Sequence, residues 1–597
     1  MCKAIFLWRE KVMTINITMQ PSFGNSAHLE GDKHSIGQHQ FTQTQLILLI
    51  AYLIIAIVWL FNSLTFLTQV DIFPRKKNSS TDILKSCLVE CNLTSEAQEY
   101  NSDKDKGDTE QQEDLSPKNE VLNLHTNNVS EDFKERKSLD IHDSECNNKT
   151  VSSHLTAVKH KRTQEAAVVV TSSKFISSLV MFGIIMIYFY LCDYAKIFPQ
   201  GERVYSRDTF LFLVFIFFLV GCAFSIKPNP DIILNRDQTE EWKGWMQVMF
   251  VWYHYFMAKE WYNWIRVYIA CYVWMTGFGN FSFFWIRNDF SAWRLLKMLF
   301  RLNFLVIFVA LTTANEYMLY YICAMHTYWF ISVYLFMRCF HSWNCNPVLM
   351  TIKFIAYAVF NAIIFDIPGM SYIVFRPFSS ILGFNDNSTN ILHEWSFRAG
   401  LDHWACFVGM LCAYNYPHFE AFMKYIDSKS VQKKEDLTKT TLRVAIIIGC
   451  LLLMTWWYTT FMWKDKIAYN ITHPYSSMIP IMVFVVARNI HPVLRAYHIQ
   501  MFANLGKMTL ETYLSQLHIY LLSNARMLLV FLPSYPLLNF SLATVIYLYV
   551  SHTLFTITND CSNFLLPNDQ NKLLINLFFM VALFSVSVMI AYGLSVL

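Results

Sequence analysis

Charge is scarce in this chain. Asp, Glu, Lys and Arg make up 15% of its 597 residues, against roughly a quarter in a soluble globular domain. The net charge is only +4, and no array of basic and aromatic residues accompanies it, so nucleic acid is not an expected partner. Soluble-enzyme signatures are missing: there is no Walker loop, no Gly-rich dinucleotide fingerprint and no Gly-x-Ser-x-Gly elbow. The 14 cysteines are scattered, many of them in apolar runs, as at Cys271, Cys406, Cys412 and Cys450. None stands beside histidines at metal-ligand spacing, so neither a metal site nor a disulfide framework is expected. The N-terminal residues do not read as a standard secretory leader. Residues 1–13 set Lys3, Arg9, Glu10 and Lys11 around a very short apolar patch.

Long apolar runs are what the chain has in place of charge. Hydrophobic residues make up 54% of it, in stretches too continuous for the alternating strands of a membrane barrel. Only helices and closed barrels satisfy the backbone in lipid, so the expected fold class is an all-α polytopic membrane protein. Candidate spans are 46–68, 174–197, 209–226, 246–258, 265–286, 296–314, 317–340, 350–366, 401–416, 442–462, 477–495, 512–532, 538–557 and 572–595. Several are short or polar, with 246–258 and 401–416 read as spanning, re-entrant or interfacial. The expectation is ten to fourteen helices.

The chain divides at residue 45, residue 68 and residue 173. Residues 1–45 form a short lumenal segment, 46–68 an anchor that also acts as signal, 69–173 a cytosolic loop and 174–597 a multispan domain. Within the loop, residues 75–165 are rich in Lys, Asp, Glu, Ser and Asn, and cannot bury enough apolar surface to offset ordering entropy; disorder is expected. Arg75, Lys76 and Lys77 on one side, and Lys159, Lys161 and Arg162 on the other, place this loop in the cytosol and the N terminus in the lumen or outside. Lys227, Arg236 and Lys243 then also fall on the cytosolic side, as does the segment from Lys424 to Arg443. Sequons at Asn16, Asn387, Asn470 and Asn539 suit lumenal loops and glycosylation, whereas those at Asn78, Asn92, Asn128 and Asn148 fall in the cytosolic loop.

Ionisable groups at bilayer depth persist where they have a partner or a task, and four clusters stand out. The first runs from Asn235 to His254. Either it leads into an interfacial helix anchored by Trp242 and Trp245, or Glu240, Glu241 and His254 line a polar cavity with the histidine as base. The second contains Arg266, Gly277, Gly279, Arg301 and Asn303. Gly277 and Gly279 allow close backbone approach. Arg266 and Arg301 suit phosphate or carboxylate, or else pair with Asp289 and Glu316. The third, His393 to His403, spaces Glu394, Arg398 and Asp402 four apart on one helical face. The fourth places Glu511, Ser515 and His518 on one face of an apolar helix.

Leu234-Asn235-Arg236-Asp237-Gln238-Thr239-Glu240-Glu241-Trp242-Lys243-Gly244-Trp245-Met246-Gln247 resembles the most distinctive motif of the sialate O-acetyltransferase family. Its membrane domain also occurs in fungal capsule O-acetylation proteins and plant reduced-wall-acetylation proteins. Phe281-Ser282-Phe283-Phe284-Trp285, Phe300-Arg301-Leu302-Asn303-Phe304, Glu394-Trp395, Phe397-Arg398, Leu401-Asp402, Gly506-Lys507, Leu510-Glu511, Gln516, His518 and Ile557-Thr558-Asn559-Asp560 continue the likeness in family order, from about residue 174 onward. The resemblance implies a multi-pass Golgi enzyme that takes acetyl from cytosolic acetyl-CoA and places it on a lumenal glycan hydroxyl. In the animal branch the acceptor is sialic acid, as CMP-sialic acid.

On this reading His254 or His518 is base or transient acyl acceptor, and Glu511 orients His518. Arg266, Arg301 and Arg398 hold CoA phosphates or the oxyanion, with Glu240, Glu241, Asn303, Asp402 and Gln516 as further substrate contacts. Animal members carry a lumenal SGNH-type hydrolase-like domain before the first span; the residues ahead of Leu46 contain neither of its motifs. A separate lumenal SGNH-type partner is therefore one expectation and direct transfer another, with membrane lipid as the surrounding partner. The rival class is a carrier of acetyl or acetyl-CoA that supplies a separate transferase.

Overall fold

The computed structural model describes residues 42–71, 171–230, 232–379, 388–428, 433–522, 525–567 and 569–596. Most of the expected lumenal segment, most of the cytosolic loop, Asn16 and Asn387 lie outside the described residues. The chain divides into two units, Met1–Trp59 with Val168–Leu597, and Leu60–Ala167. The described part of the second is the C-terminal stretch of the first helix; the remaining elements belong to the first unit.

All-α polytopic architecture is what the chain adopts, with ten described helices long and apolar enough to cross a membrane. The principal helices are α1 (Gln43–Asp71), α2 (Ser172–Phe189), α3 (Arg207–Phe224), α4 (Arg236–Phe256), α5 (Tyr262–Arg287) and α6 (Ala292–Thr313). They continue as α7 (Tyr321–Arg338), α8 (Pro347–Asp366), α9 (Ser388–Leu401), α10 (His403–Tyr414), α11 (Tyr416–Asp427) and α12 (Lys433–Trp457). The last six are α13 (Lys466–Ser476), α14 (Met478–Asn489), α15 (Gln500–Lys507), α16 (Thr509–Ile519), α17 (Pro536–Leu565) and α18 (Gln570–Val596).

Four of the fourteen expected spans are not long apolar helices. The run 246–258 is the C-terminal half of α4, whose first turns are charged. The run 401–416 is broken at Asp402, between α9 and α10, and 477–495 holds the 12-residue α14 and a four-residue turn of helix, Pro492–Arg495. The run 512–532 is the rest of α16 followed by a hairpin of β4 (Leu521–Leu522) and β5 (Met527–Leu529). Hydropathy sums composition over a window and does not register where a backbone turns.

Local chemistry sets the helix ends. Asn235 caps α4 by accepting from Asp237 N at 3.3 Å, and Ser291 caps α6 by accepting from Arg294 N at 3.2 Å, each satisfying an otherwise orphaned donor. Met257, Asn288 and Ala314 close α4, α5 and α6 in the left-handed conformation, which frees the chain to reverse.

Two small sheets mark opposite ends of the bundle. β1 (Gln200–Gly201) pairs with β5, which also pairs with β4. β2 (Ile226–Pro228) pairs with β3 (Tyr497–Ile499). Since α3 runs from just after β1 to just before β2, the three-stranded sheet lies at one end and the two-stranded sheet at the other. Helix α4 returns from the two-stranded end to the three-stranded end.

Two helix pairs approach backbone to backbone. A Cβ on Gly506 would meet Glu240 O at 1.9 Å, and one on Gly244 would meet Phe502 O at 1.8 Å, where α4 crosses α15. Gly277 and Gly409 do the same for α5 and α10, at 2.3 Å from Cys406 O and 2.2 Å from Trp274 O. The close approach expected of Gly277 is found, whereas Gly279 has nothing within 4 Å of its would-be side chain. Around these crossings the core is aromatic, with Trp242, Trp274, Trp329 and Trp457 fully buried. Exposed apolar side chains such as Leu451 and Leu452 of α12 and Phe578 and Phe579 of α18 suit contact with hydrocarbon rather than water.

Candidate active site

The helix α2 ends in a π-helical turn, Tyr190–Tyr194, which carries Asp193 inward. Its Oδ2 lies 3.0 Å from His518 Nδ1, and His518 Nε2 lies 2.8 Å from the Tyr320 hydroxyl. Asn315 Nδ2 donates to the same carboxylate oxygen at 3.4 Å. The His518 ring has no exposed surface and packs 5.1 Å from the Phe189 ring. Both nitrogens being engaged, the ring braces three segments of the three-stranded end.

The expectation that Glu511 orients His518 is corrected. Seven residues separate them on α16, about 10 Å along a helix, and the Glu511 carboxylate bonds Arg301 of α6 instead. Arg301 is thus held by Glu511 and sits 5.2 Å from the Phe555 ring. Along this helix Glu511 Oε2, Ser515 Oγ and Gln516 Oε1 are buried with no partner among the described residues.

Asp402 occupies the break between α9 and α10, and is 1% exposed. Arg266 of α5 donates from Nη2 to its Oδ2 at 2.8 Å, and His473 Nε2 lies 3.3 Å from its Oδ1. His473 Nδ1 in turn lies 3.1 Å from the Tyr469 hydroxyl. The expected reach of Arg266 to a ligand phosphate is corrected: its buried guanidinium is committed to Asp402. Pairing was one of the two alternatives for the arginines, yet the partners are Asp402 and Glu511 rather than Asp289 and Glu316. Asp289 instead caps its own turn, accepting from Ser291 N at 3.1 Å.

Glu240 and Glu241 do not share a cavity with His254. They stand thirteen or fourteen residues away on α4, about 20 Å along a helix. Glu240 pairs with Lys243 at 2.6 Å. Glu241 accepts from Ile499 N at 3.0 Å and pairs with Arg488 at 3.3 Å, fastening α4 to β3. The distinctive motif therefore builds the two-stranded end, where its glycine also meets α15.

Groups left partly accessible inside the bundle form a different set. Arg398 donates from Nε to Glu394 Oε2 at 2.9 Å, with its guanidinium 3.9 Å from the Tyr321 ring centre. Only this first rung of the expected Glu394–Arg398–Asp402 ladder forms. His254 is partly exposed, edges onto Phe250 at 4.7 Å, and lies within electrostatic range of Arg203 and Arg398. Arg203 Nη1 also donates to the His254 carbonyl at 3.3 Å. Deeper in, His326 of α7 is partly exposed and lies within electrostatic range of Asp402 and Lys243. Arg266 lies within such range of both Asp402 and Arg398. A line of polar side chains therefore runs His254, Arg398, Arg266, Asp402, His326, Lys243 from the three-stranded end towards the other.

Asn303 donates to Thr327 Oγ1 at 3.0 Å and accepts from the Tyr317 hydroxyl at 2.5 Å, so it fixes α6 against α7. Asn470 and Asn539 are buried within helices, at 5% and 4% exposure. Asn470 accepts from the Tyr262 hydroxyl at 3.0 Å, and Asn539 accepts from Phe531 N at 2.7 Å. The expectation of a glycan at Asn470 is corrected, because a buried, hydrogen-bonded amide presents no attachment point. Among the described residues no three His, Cys, Asp or Glu side chains converge on a metal position.

Sequence reasoning missed Asp193, Arg203, Tyr320, His326 and His473. His326 and Asp193 carried a usable signal, each being ionisable inside a candidate span. Arg203 sits between spans, and only the fold brings it to His254.

The family described as a 10 TM Acyl Transferase domain found in Cas1p matches residues 134–578. The N-acetylneuraminate (7)9-O-acetyltransferase of Danio rerio is 32% identical over 406 residues, which is 66% of this chain and 51% of that protein. The chain thus spans about half the length of the curated relative it matches. No solved structure matches. With three quarters of its length matched by that domain, and its motifs on the crossings and ion pairs described, the chain belongs to the Cas1p-type ten-transmembrane acyl transferase family, together with sialate O-acetyltransferases.

Proposed function

We propose that this chain is an O-acetyltransferase of the Golgi membrane with a lumenal N terminus. Acetyl-CoA supplies acetyl at the two-stranded, cytosolic end, and the acceptor is a hydroxyl of an anionic lumenal glycan, a sialic acid such as CMP-sialic acid. The observation that carries the proposal is the polar line from Lys243 to His254 through an otherwise aromatic core. Polar side chains at such depth are costly unless they serve a path or a reaction, and acyl transfer needs a base and a stabilised oxyanion.

The two ends differ in a way that suits donor and acceptor. Arg236, Lys243 and Arg488 gather at the two-stranded end, where CoA phosphates would meet them. Arg203 and Arg398 flank His254 at the other end, where a sialate carboxylate would meet two guanidinium groups while the imidazole takes the hydroxyl proton. Of the two histidines expected to act, the geometry favours His254 over the fully enclosed His518.

The test uses purified protein in sealed liposomes, with labelled acetyl-CoA outside and CMP-sialic acid inside. Label on the internal sugar is the expected result. Free labelled acetate or acetyl-CoA inside, with none on the sugar until a lumenal SGNH-type transferase is added, would make the chain a carrier.

A further inference from the structure

We propose that His326 receives the acetyl group covalently at Nε2 on its way through the bundle; this rests on the acetyl-CoA reading above. The first argument is its tautomer. Thr276 Oγ1 donates its one proton to the Tyr272 carbonyl at 3.0 Å. Thr276 Oγ1 also lies 2.8 Å from His326 Nδ1. With its own proton already placed, the hydroxyl accepts there, so Nδ1 carries the hydrogen and Nε2 the lone pair.

The second argument is access. Nε2 makes no hydrogen bond among the described residues, and the ring is partly exposed deep in the bundle. His473 and His518 are fully buried, and each has both nitrogens bonded. Neither has a lone pair to offer without breaking a contact.

The third argument is rigidity. Thr276 adjoins Gly277, where α5 lies against the Cys406 carbonyl, so its hydroxyl cannot drift. Thr327, the neighbour of His326, is held by Asn303 at 3.0 Å. A nucleophile positioned this firmly reacts without first paying for its own ordering. Lys243 and Asp402, both within electrostatic range of the ring, place it within the polar line.

The chemistry balances without a co-reactant. Nε2 attacks the thioester carbonyl, the C–S bond breaks, and the Nδ1 proton ends on the departing thiol, leaving neutral acetylimidazole. The acceptor hydroxyl then attacks the acetyl carbon as His254 takes its proton, the C–N bond breaks, and that proton passes along the polar line to the departing His326 imidazole, restoring both rings. The sum is thioester plus alcohol giving ester plus thiol.

The experiment incubates the full chain in liposomes with acetyl-labelled acetyl-CoA and no acceptor. Wild type is expected to retain about one hydroxylamine-labile acetyl per chain, mapped to His326 by mass spectrometry, and to exchange label between acetyl-CoA and CoA. H326A and H326Q should lose both signals, at least a hundredfold. T276V should slow exchange about tenfold and T276S should restore it. That pair reads the proposal even if a His326 variant fails to fold.

Several results would overturn the assignment while leaving the acetyltransferase reading intact. They are label on another residue, glycan acetylation by wild type without exchange, or near wild-type exchange by H326Q or T276V. A wild-type chain that neither exchanges nor consumes acetyl-CoA with acceptor present would remove both readings.

Discussion

Arg266 and Asp402 are 136 residues apart in the chain and 2.8 Å apart in the fold, joined where α9 breaks and α10 begins. Replacing one member of a buried ion pair leaves an uncompensated charge. D402N or R266M should therefore lower stability by about 3–5 kcal/mol, read as an earlier thermal transition in detergent. The double variant R266M/D402N should recover part of that loss. A double variant as unstable as the sum of the singles would show that the two side chains act independently.

The His518 ring bridges Asp193 and Tyr320 and shows no accessible surface. If it braces the three-stranded end, Y320F should cost about 1 kcal/mol and leave acetyl transfer within a few-fold of wild type. H518A should cost more, because it leaves the Asp193 carboxylate without its imidazole and opens a cavity. Loss of transfer in Y320F at unchanged thermal stability would instead give this trio a chemical role.

Gly506 and Gly279 make a matched pair of substitutions. A methyl group at Gly506 would strike the Glu240 carbonyl at 1.9 Å, whereas one at Gly279 meets nothing within 4 Å. G506A should destabilise by about 1–3 kcal/mol or more, and G279A should be neutral or slightly stabilising. Equal thermal shifts for the two would contradict the crossing of α4 on α15.

Arg203 and Arg398 approach His254 at the end assigned to the acceptor. R398Q and R203Q should each raise KM for an anionic sugar acceptor about tenfold, a loss on the order of 1.4 kcal/mol, with KM for acetyl-CoA unchanged. A neutral acceptor should show no such shift. A rise in KM for acetyl-CoA alone would move the acceptor site elsewhere.

Much of this was legible in the residues. The long apolar runs gave ten of the spans, and Gly277 gave a true backbone approach. The motif from Leu234 to Gln247 pointed to the family that the comparisons then showed. What it did not disclose is its own role: Glu240 and Glu241 looked like cavity acids, yet Glu240 pairs with Lys243 on its own helix, and Glu241 fastens α4 to α14 and β3 through Arg488 and the Ile499 amide. Helical spacing put Glu511, Ser515 and His518 on one face, and that was correct. It was silent on the partners, Arg301 and Asp193, because those arrive from α6 and from the π-helical end of α2.

The sequence by itself determined that the chain spans a membrane and that ionisable groups lie within its apolar runs. These are local quantities, set by composition over a few turns and by the cost of an unsatisfied backbone in lipid. Which arginine pairs with which carboxylate, and which histidine keeps a free nitrogen, was decided only by tertiary structure. Arg266 meets Asp402, and Thr276 meets His326 Nδ1, because helices distant in sequence pack against one another. Hydrogen-bond and ion-pair choice depends on sub-ångström distances that no spacing along a single helix encodes.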